Sequence, residues 1–317
     1  MTAARIDDLT VDVAVRHRWH RGSVRVLDGV ALDLPSASMT ALIGESGCGK
    51  SMVASALCGL LPAGATARGR LTIGDETMID DELVGRGARW TGLRGRRVGL
   101  VPQSVATSFT PVRTVGAQLD EVIATLDGPC DAAELCRAVR LDPSALDLFP
   151  HELSGGMAQR AAIAAALAGD PEILVADEPT SALDPDLAAA IWDLLAATAR
   201  RGAAVLVITH DVETLGGALR DASSASSGRS SGSEGLGVAA GAGVCSGGEG
   251  LGVAAGAGVC SGGEGLGVAA GAGARPGGAG LDRIAVMRAG RIVEDRPAAD
   301  LAASDDEYVA AFFEPVS

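Results

Sequence analysis

Residues 9–15 (LTVDVAV) and 24–34 (VRVLDGVALDL) alternate apolar and polar side chains, the period of half-buried strands, and predict an antiparallel pair. The pattern then changes. Thr40 to Ile43 reads as a short buried strand, and Ser51 to Leu60 as a helix. RRVGLVPQ (96–103) predicts a further strand ending in a glutamine, and residues 114–148 carry helical periodicity broken by Asp and Pro. A helix is predicted within HELSGGMAQRAAIAAALAGD, followed by a continuous apolar strand, Ile173 to Ala176, that ends in two carboxylates. AAVLVITHD (203–211) is another buried strand with His210 at its end, and LDRIAVMRAGRIVEDRP (281–297) returns to alternation around a turn at Ala289-Gly290. Strands that alternate with helices imply a mainly parallel sheet. Its polar groups gather at strand C-termini, where such sheets bind ligands.

Residues 222–280 follow neither period. The unit GEGLGVAAGAGVCSG recurs every 15 residues, marked by Glu234, Glu249 and Glu264 and by Cys245 and Cys260. Glycine dominates and aromatic residues are absent, so the segment has little to bury and much backbone entropy to lose on ordering. It is expected to be a mostly disordered insertion within a domain that resumes beyond it.

Composition narrows the classes. Hydrophobic residues make up 47% of the 317, yet only three Trp, one Tyr and four Phe occur, so the core is built from Ala, Val, Leu and Ile. The formal charge of −14 argues against nucleic acid as a partner, because phosphate backbones are held by clustered cations. No uninterrupted apolar run reaches the ~18 residues of a bilayer span, and MTAARIDDLT lacks a signal-peptide core, so a cytoplasmic chain is expected. The six cysteines contain no C-x-x-C pair and predict neither a zinc site nor a disulfide scaffold.

Against 25 arginines there is one lysine, Lys50, in GESGCGKS (44–51). Arginine presents a broad planar fork, whereas lysine brings a compact ammonium on a thin stem that can enter a narrow loop. The stretch fits G-x-x-x-x-G-K-[ST], in which glycines let successive backbone N–H groups turn onto phosphates. The strand before it and the helix after it supply the required context, the helix N-terminus adding partial positive charge. Gly44, Glu45, Ser46, Gly47, Cys48, Gly49, Lys50 and Ser51 are therefore the predicted nucleotide phosphate site.

Four further motifs accompany this loop in order: VPQS (101–104), LSGGMAQR (153–160), ILVADEPTSALD (173–184) and ITHD (208–211). Together they resemble an ATP-binding cassette (ABC) ATPase over nearly all of residues 9–221 and 281–300. The implied fold is an α/β P-loop NTPase of ABC type: a mainly parallel core sheet, an antiparallel β subdomain and a helical signature subdomain at about 104–160. The expected domains are the cassette (1–221), the insertion (222–280), and the end of the cassette with a short tail (281–317).

GLLPAG (59–64), VPQSVATSFTPVRTVGAQL (101–119), FPHELSGGMAQR (149–160) and ADEPTSALD (176–184) are similar to the ATPase subunits of bacterial dipeptide, oligopeptide and nickel importers. Peptide-importer members often carry a C-terminal cysteine cluster. No cysteine follows Arg296 here, so the short form without that cluster is the nearer comparison.

The resemblance implies a role for each residue. Lys50 contacts the β- and γ-phosphates of ATP, while Ser51 and Asp177 ligate Mg²⁺, with Gln103 able to reach the metal or the attacking water. Glu178 is the general base and His210 the switch group at the γ-phosphate. Ser154, Gly155 and Gly156 contact the ATP held by an opposite subunit, and Trp19, with His20 as the substitute, is the candidate for stacking on adenine. His17, His20 and His151 are expected in turns or caps. The implied partners are two membrane-spanning permease subunits, a second ABC ATPase subunit, identical or paralogous, and indirectly an extracytoplasmic solute-binding protein. Nucleic acid is excluded as a partner, and the implied location is peripheral, at the cytoplasmic face of the cell membrane.

Overall fold

The computed structural model describes residues 1–17, 20–85, 87–105, 108–210, 280–303, 306 and 308–309. Trp19 and all of the repeat segment up to residue 279 lie outside the described residues.

The predicted antiparallel pair is present as β1 (Thr2–His17) and β2 (His20–Pro35). Both run longer than the alternation marks, because polar ends still complete the ladder: Arg5 stands opposite Asp33, with Nε 3.6 Å from the carboxylate. Two strands not anticipated from the sequence, β4 (Ala65–Ile73) and β5 (Glu76–Ile79), extend this sheet in the order β2-β1-β4-β5.

The second sheet has the order β10-β9-β3-β8-β7-β6. Its strands are β3 (Ser38–Gly44), β6 (Val98–Val101), β7 (Ile173–Asp177), β8 (Ala204–Ile208), β9 (Arg283–Arg288) and β10 (Arg291–Pro297). All neighbours are parallel except β10 on β9. The central strand β3 thus pairs with β8 on one side and, across the repeat segment in sequence, with β9 on the other.

Local chemistry shortens two predicted elements. α1 (Lys50–Leu57) stops before Leu60 because Gly59, at φ +61°, turns the chain so that the Leu60 N–H reaches the Ser55 carbonyl at 2.7 Å. β6 omits Arg96 and Arg97; the Arg97 N–H instead closes a turn onto Leu93 O at 2.8 Å. The broken helical region resolves into α3 (Val115–Leu126) and α4 (Ala132–Ala138), followed by a 3-10 turn at Pro143–Asp147. Asp131 and Glu134 form a capping box at the start of α4. α2 (Ala88–Leu93), α5 (Gly155–Leu167) and α6 (Pro185–Arg200) complete the named helices.

The parallel sheet is a wall between two cores. Successive residues face opposite sides: Met39, Ala41 and Ile43 enter the core under α3 to α6, while Leu42 enters the one beneath α1 and the antiparallel sheet. β7 divides likewise, with Leu174 and Ala176 on the first side and Ile173 and Val175 on the second. Continuous apolar strands are what a sheet covered on both faces requires.

Trp90 closes the edge of the second core directly over Gly59. A Cβ on Gly59 would lie 2.3 Å from the indole, while Arg94 donates to the carbonyls of Cys58 at 3.0 Å and Gly85 at 2.8 Å. Gly59→Ala is expected to destabilise the fold by about 2 kcal/mol or more, through overpacking and a side chain at positive φ. Urea unfolding measures this; an unchanged midpoint would refute the packing account.

Candidate functional site

β3 passes into α1 through Gly44, Gly47 and Gly49 at φ +154°, +80° and +112°. Two of these have no room for a side chain. A Cβ on Gly44 would lie 2.2 Å from Met287 O, and one on Gly49 would lie 2.9 Å from Leu27 Cδ2. The turn delivers Lys50, only 7% exposed, into the loop, where Nζ donates to Gly44 O at 2.8 Å and Glu45 O at 2.9 Å. An ammonium has three protons, and beyond these two carbonyls the third is directed at Cys48 Sγ, 3.9 Å away.

Ser46, Gly47, Gly49, Lys50, Ser51, Gln103, Asp177, Glu178 and His210 line one cleft of about 450 Å³. Four separate strand ends supply it: β3 through the loop, β6 through Gln103, β7 through the two carboxylates and β8 through His210. Asp177 is the last residue of β7 and is buried. Burial pushes its carboxyl above the usual range and the neighbouring Glu178 charge adds to this, while the Ser51 hydroxyl bonded to it and Lys50 pull the other way.

Glu178 follows at φ +50°, a costly conformation for a non-glycine residue. The turn is held on both sides. Its N–H donates to Ile208 O at 2.8 Å, and its carbonyl accepts from the Ser181 hydroxyl at 3.1 Å. The result aims the side chain across the cleft, where Gln103 Nε2 donates to Oε2 at 3.1 Å and His210 Nδ1 lies 2.6 Å from Oε1. An ionised carboxylate only accepts, so the imidazole presents its Nδ1–H to Glu178.

Not all predicted residues meet here. Gly44, Glu45 and Cys48 support the loop from behind: the Glu45 N–H donates to Tyr308 Oη at 3.3 Å and the Cys48 carbonyl accepts from Gly290 N–H at 2.9 Å. Ser154, Gly155 and Gly156 are outside the cleft lining, at the start of α5, where Ser154 Oγ caps Met157 N–H at 3.3 Å. His151 sits in the 3-10 turn Pro150–Glu152 and stacks on Phe149 at 5.8 Å. Val26 and Met52 also line the cleft, and no motif marks either of them.

The oxygen donors suit a hard cation. Mg²⁺ binds through one or two side chains together with phosphates and waters, so the bonded Ser51 hydroxyl and Asp177 carboxylate, with the Gln103 amide nearby, fit it. Among the described residues no group of three or more His, Cys, Asp or Glu forms a separate metal cage. No helix among them is long and apolar enough to cross a membrane.

Residues 27–181 match the family described as ABC transporter. The chain is 42% identical over 221 residues to a protein of Sinorhizobium fredii named "Probable peptide ABC transporter ATP-binding protein", covering 65% of this chain and 64% of that one. It is 40% identical over 217 residues to the oligopeptide transport ATP-binding protein of Mycobacterium tuberculosis, covering 63% of this chain and 34% of that protein. The chain thus spans less than two thirds of the length of these relatives. A dimeric ATP-binding cassette in a post-hydrolysis state with ADP and Pi shares the fold, at a TM-score of 0.59 and 21% identity over 93% of this chain and 98% of that one. The sheet order, the strand-end chemistry and the sequence match agree, and residues 27–181 of the chain are an ABC transporter domain.

Proposed function

We propose that the chain is the ATP-hydrolysing subunit of an ABC importer. It works at the cytoplasmic face of the membrane with two permease subunits and a second ATPase subunit, identical or paralogous, and an extracytoplasmic binding protein supplies the cargo. The observation that carries the reading is the Glu178 carboxylate held between Gln103 and His210 on the wall of the cleft that contains Lys50.

Lys50 and backbone N–H groups of the loop bind the β- and γ-phosphates. Ser51 and Asp177 would hold Mg²⁺, which would supply charge neutralisation on those phosphates. Glu178 takes a proton from the water that attacks the γ-phosphorus, and His210 Nδ1–H and Gln103 Nε2 fix the orientation of its carboxylate. Ser154, Gly155 and Gly156 lie outside their own cleft, which supports their use on the ATP of a facing subunit, with the N-terminus of α5 adding positive potential. Exposed Val112 (78%), just ahead of α3, and Phe149 (37%), next to Leu148 whose carbonyl accepts the Val115 N–H at 2.9 Å, offer apolar area to a permease. The names of the relatives favour a peptide cargo; a nickel-type solute is the other class the sequence motifs allow.

Replacing the base should separate binding from turnover. Glu178→Gln is expected to lower steady-state ATP hydrolysis by about 100-fold or more while leaving ATP binding intact. Hydrolysis within a few-fold of wild type, with the permeases present, would remove Glu178 from the role.

Asp177 gives a prediction of opposite sign for stability. Its folded pKa is raised, so its contribution to stability falls as pH climbs from the ordinary carboxylate value through the folded one, and near neutrality the buried charge opposes folding. Asp177→Asn is therefore expected to raise the nucleotide-free Tm by a few degrees while abolishing Mg²⁺-dependent hydrolysis. A lower Tm in calorimetry would contradict this sign.

For cargo, a strain lacking the gene is expected to lose uptake of labelled di- and oligopeptides and to keep nickel accumulation. Loss of nickel uptake instead would reassign the cargo. Retention of both, with failure to expel some compound, would reverse the direction.

A further inference from the structure

Tyr308, the one tyrosine in the chain, reaches the phosphate loop from the far end of the sequence. Its hydroxyl accepts the Glu45 N–H at 3.3 Å and lies 3.5 Å from Met287 O. That carbonyl is the one that leaves no space for a side chain on Gly44. The ring is fixed from several directions. The Arg288 guanidinium lies over it at 4.7 Å, Asp306 Oδ1 accepts its backbone N–H at 2.8 Å, and the next residue, Val309, is fully buried in the core under α3 to α6. Burial holds the phenol above its ordinary pKa, so at neutral pH the hydroxyl is intact and can accept and donate at once.

Glu45 is where this matters. Its N–H is engaged by Tyr308 and its carbonyl by Lys50 Nζ at 2.9 Å, so the residue links the C-terminal segment to the ammonium in the cleft. Gly290, on the turn between β9 and β10, pins the loop a second time through the Cys48 carbonyl at 2.9 Å. Both anchors come from chain beyond the repeat segment.

We propose that Tyr308 is a positioning residue for nucleotide binding: its hydroxyl ties Glu45 to β9 and sets the loop conformation that seats Lys50. The inference rests on the nucleotide reading of the cleft given above.

Tyr308→Phe in the full chain keeps the ring over Arg288 and deletes only the hydroxyl. Calorimetric titration with MgATP and MgADP is expected to show affinity weakened by about threefold to tenfold, the share of one hydrogen bond. The nucleotide-free Tm should stay within about a degree, as expected when only a local contact is lost. Hydrogen exchange at the Glu45 amide should accelerate while the amides of α1 keep their protection. Wild-type affinity in the variant, unchanged exchange at Glu45, or an affinity loss that merely accompanies a large fall in Tm would each overturn the proposal. If the wild-type chain itself binds no nucleotide, the reading of the cleft fails and this inference fails with it; binding by wild type with an unaffected variant sinks the Tyr308 role alone.

Discussion

The approach of β9 to the end of β3 is the constraint on which the site depends. Met287 O stands 2.2 Å from where a Gly44 Cβ would be, so the strand can leave the sheet only through glycine and only in a left-handed turn. That turn sets the direction of α1, and the direction of α1 brings Lys50 back over the carbonyls of Gly44 and Glu45. A bulkier residue at the first glycine would push the loop off β9. The contact with Gly290 and the seat of the ammonium would go with it.

Two charges are buried at this junction, Lys50 at 7% exposure and Asp177 at 6%, where every other consideration favours apolar side chains. Desolvating a charge costs several kcal/mol unless partners replace water. The fold supplies partial replacement: two carbonyls for the ammonium, and the Ser51 hydroxyl for the carboxylate. The raised pKa of Asp177 marks the residue of that cost which the protein alone does not remove. This also bears on the single lysine. A guanidinium could not fold back onto two successive loop carbonyls from the first position of α1 without displacing the backbone that presents them.

Much of the site was legible because its residues sit at strand ends, and apolar runs that stop at a polar residue are visible in sequence. β7 into Asp177 and Glu178, and β8 toward His210, are of this kind. β4 was not read, although it alternates, because its inward positions begin with Ala65 and Ala67, too small to mark a stripe, and Arg68 to Arg70 then carries a glycine at φ +116°. The end of α1 was overextended because Leu60 and Leu61 continue the apolar content past Gly59, and only the backbone turn separates them from the helix. Tyr308 gave no signal at all. Its contact with Glu45 joins positions 263 residues apart, and no local period encodes such a meeting.

The predicted signature residues stand outside the cleft, yet they pack against the turn that leads out of it. A Cβ on Gly156 would lie 3.3 Å from Ala182 O, so the first turn of α5 rests on the turn that follows β7. The same turn begins at Glu178, whose carbonyl is held by Ser181, and it closes through the Leu183 N–H on Thr180 O at 3.1 Å before Asp184 caps α6. The strained backbone at Glu178 thus opens a short hydrogen-bonded turn, and the start of α5 packs against the far end of that turn. Closely packed backbone transmits displacement rather than absorbing it. A side chain added at Gly156 would therefore crowd Ala182 and Leu183, in the same turn that presents the Glu178 carboxylate to Gln103 and His210.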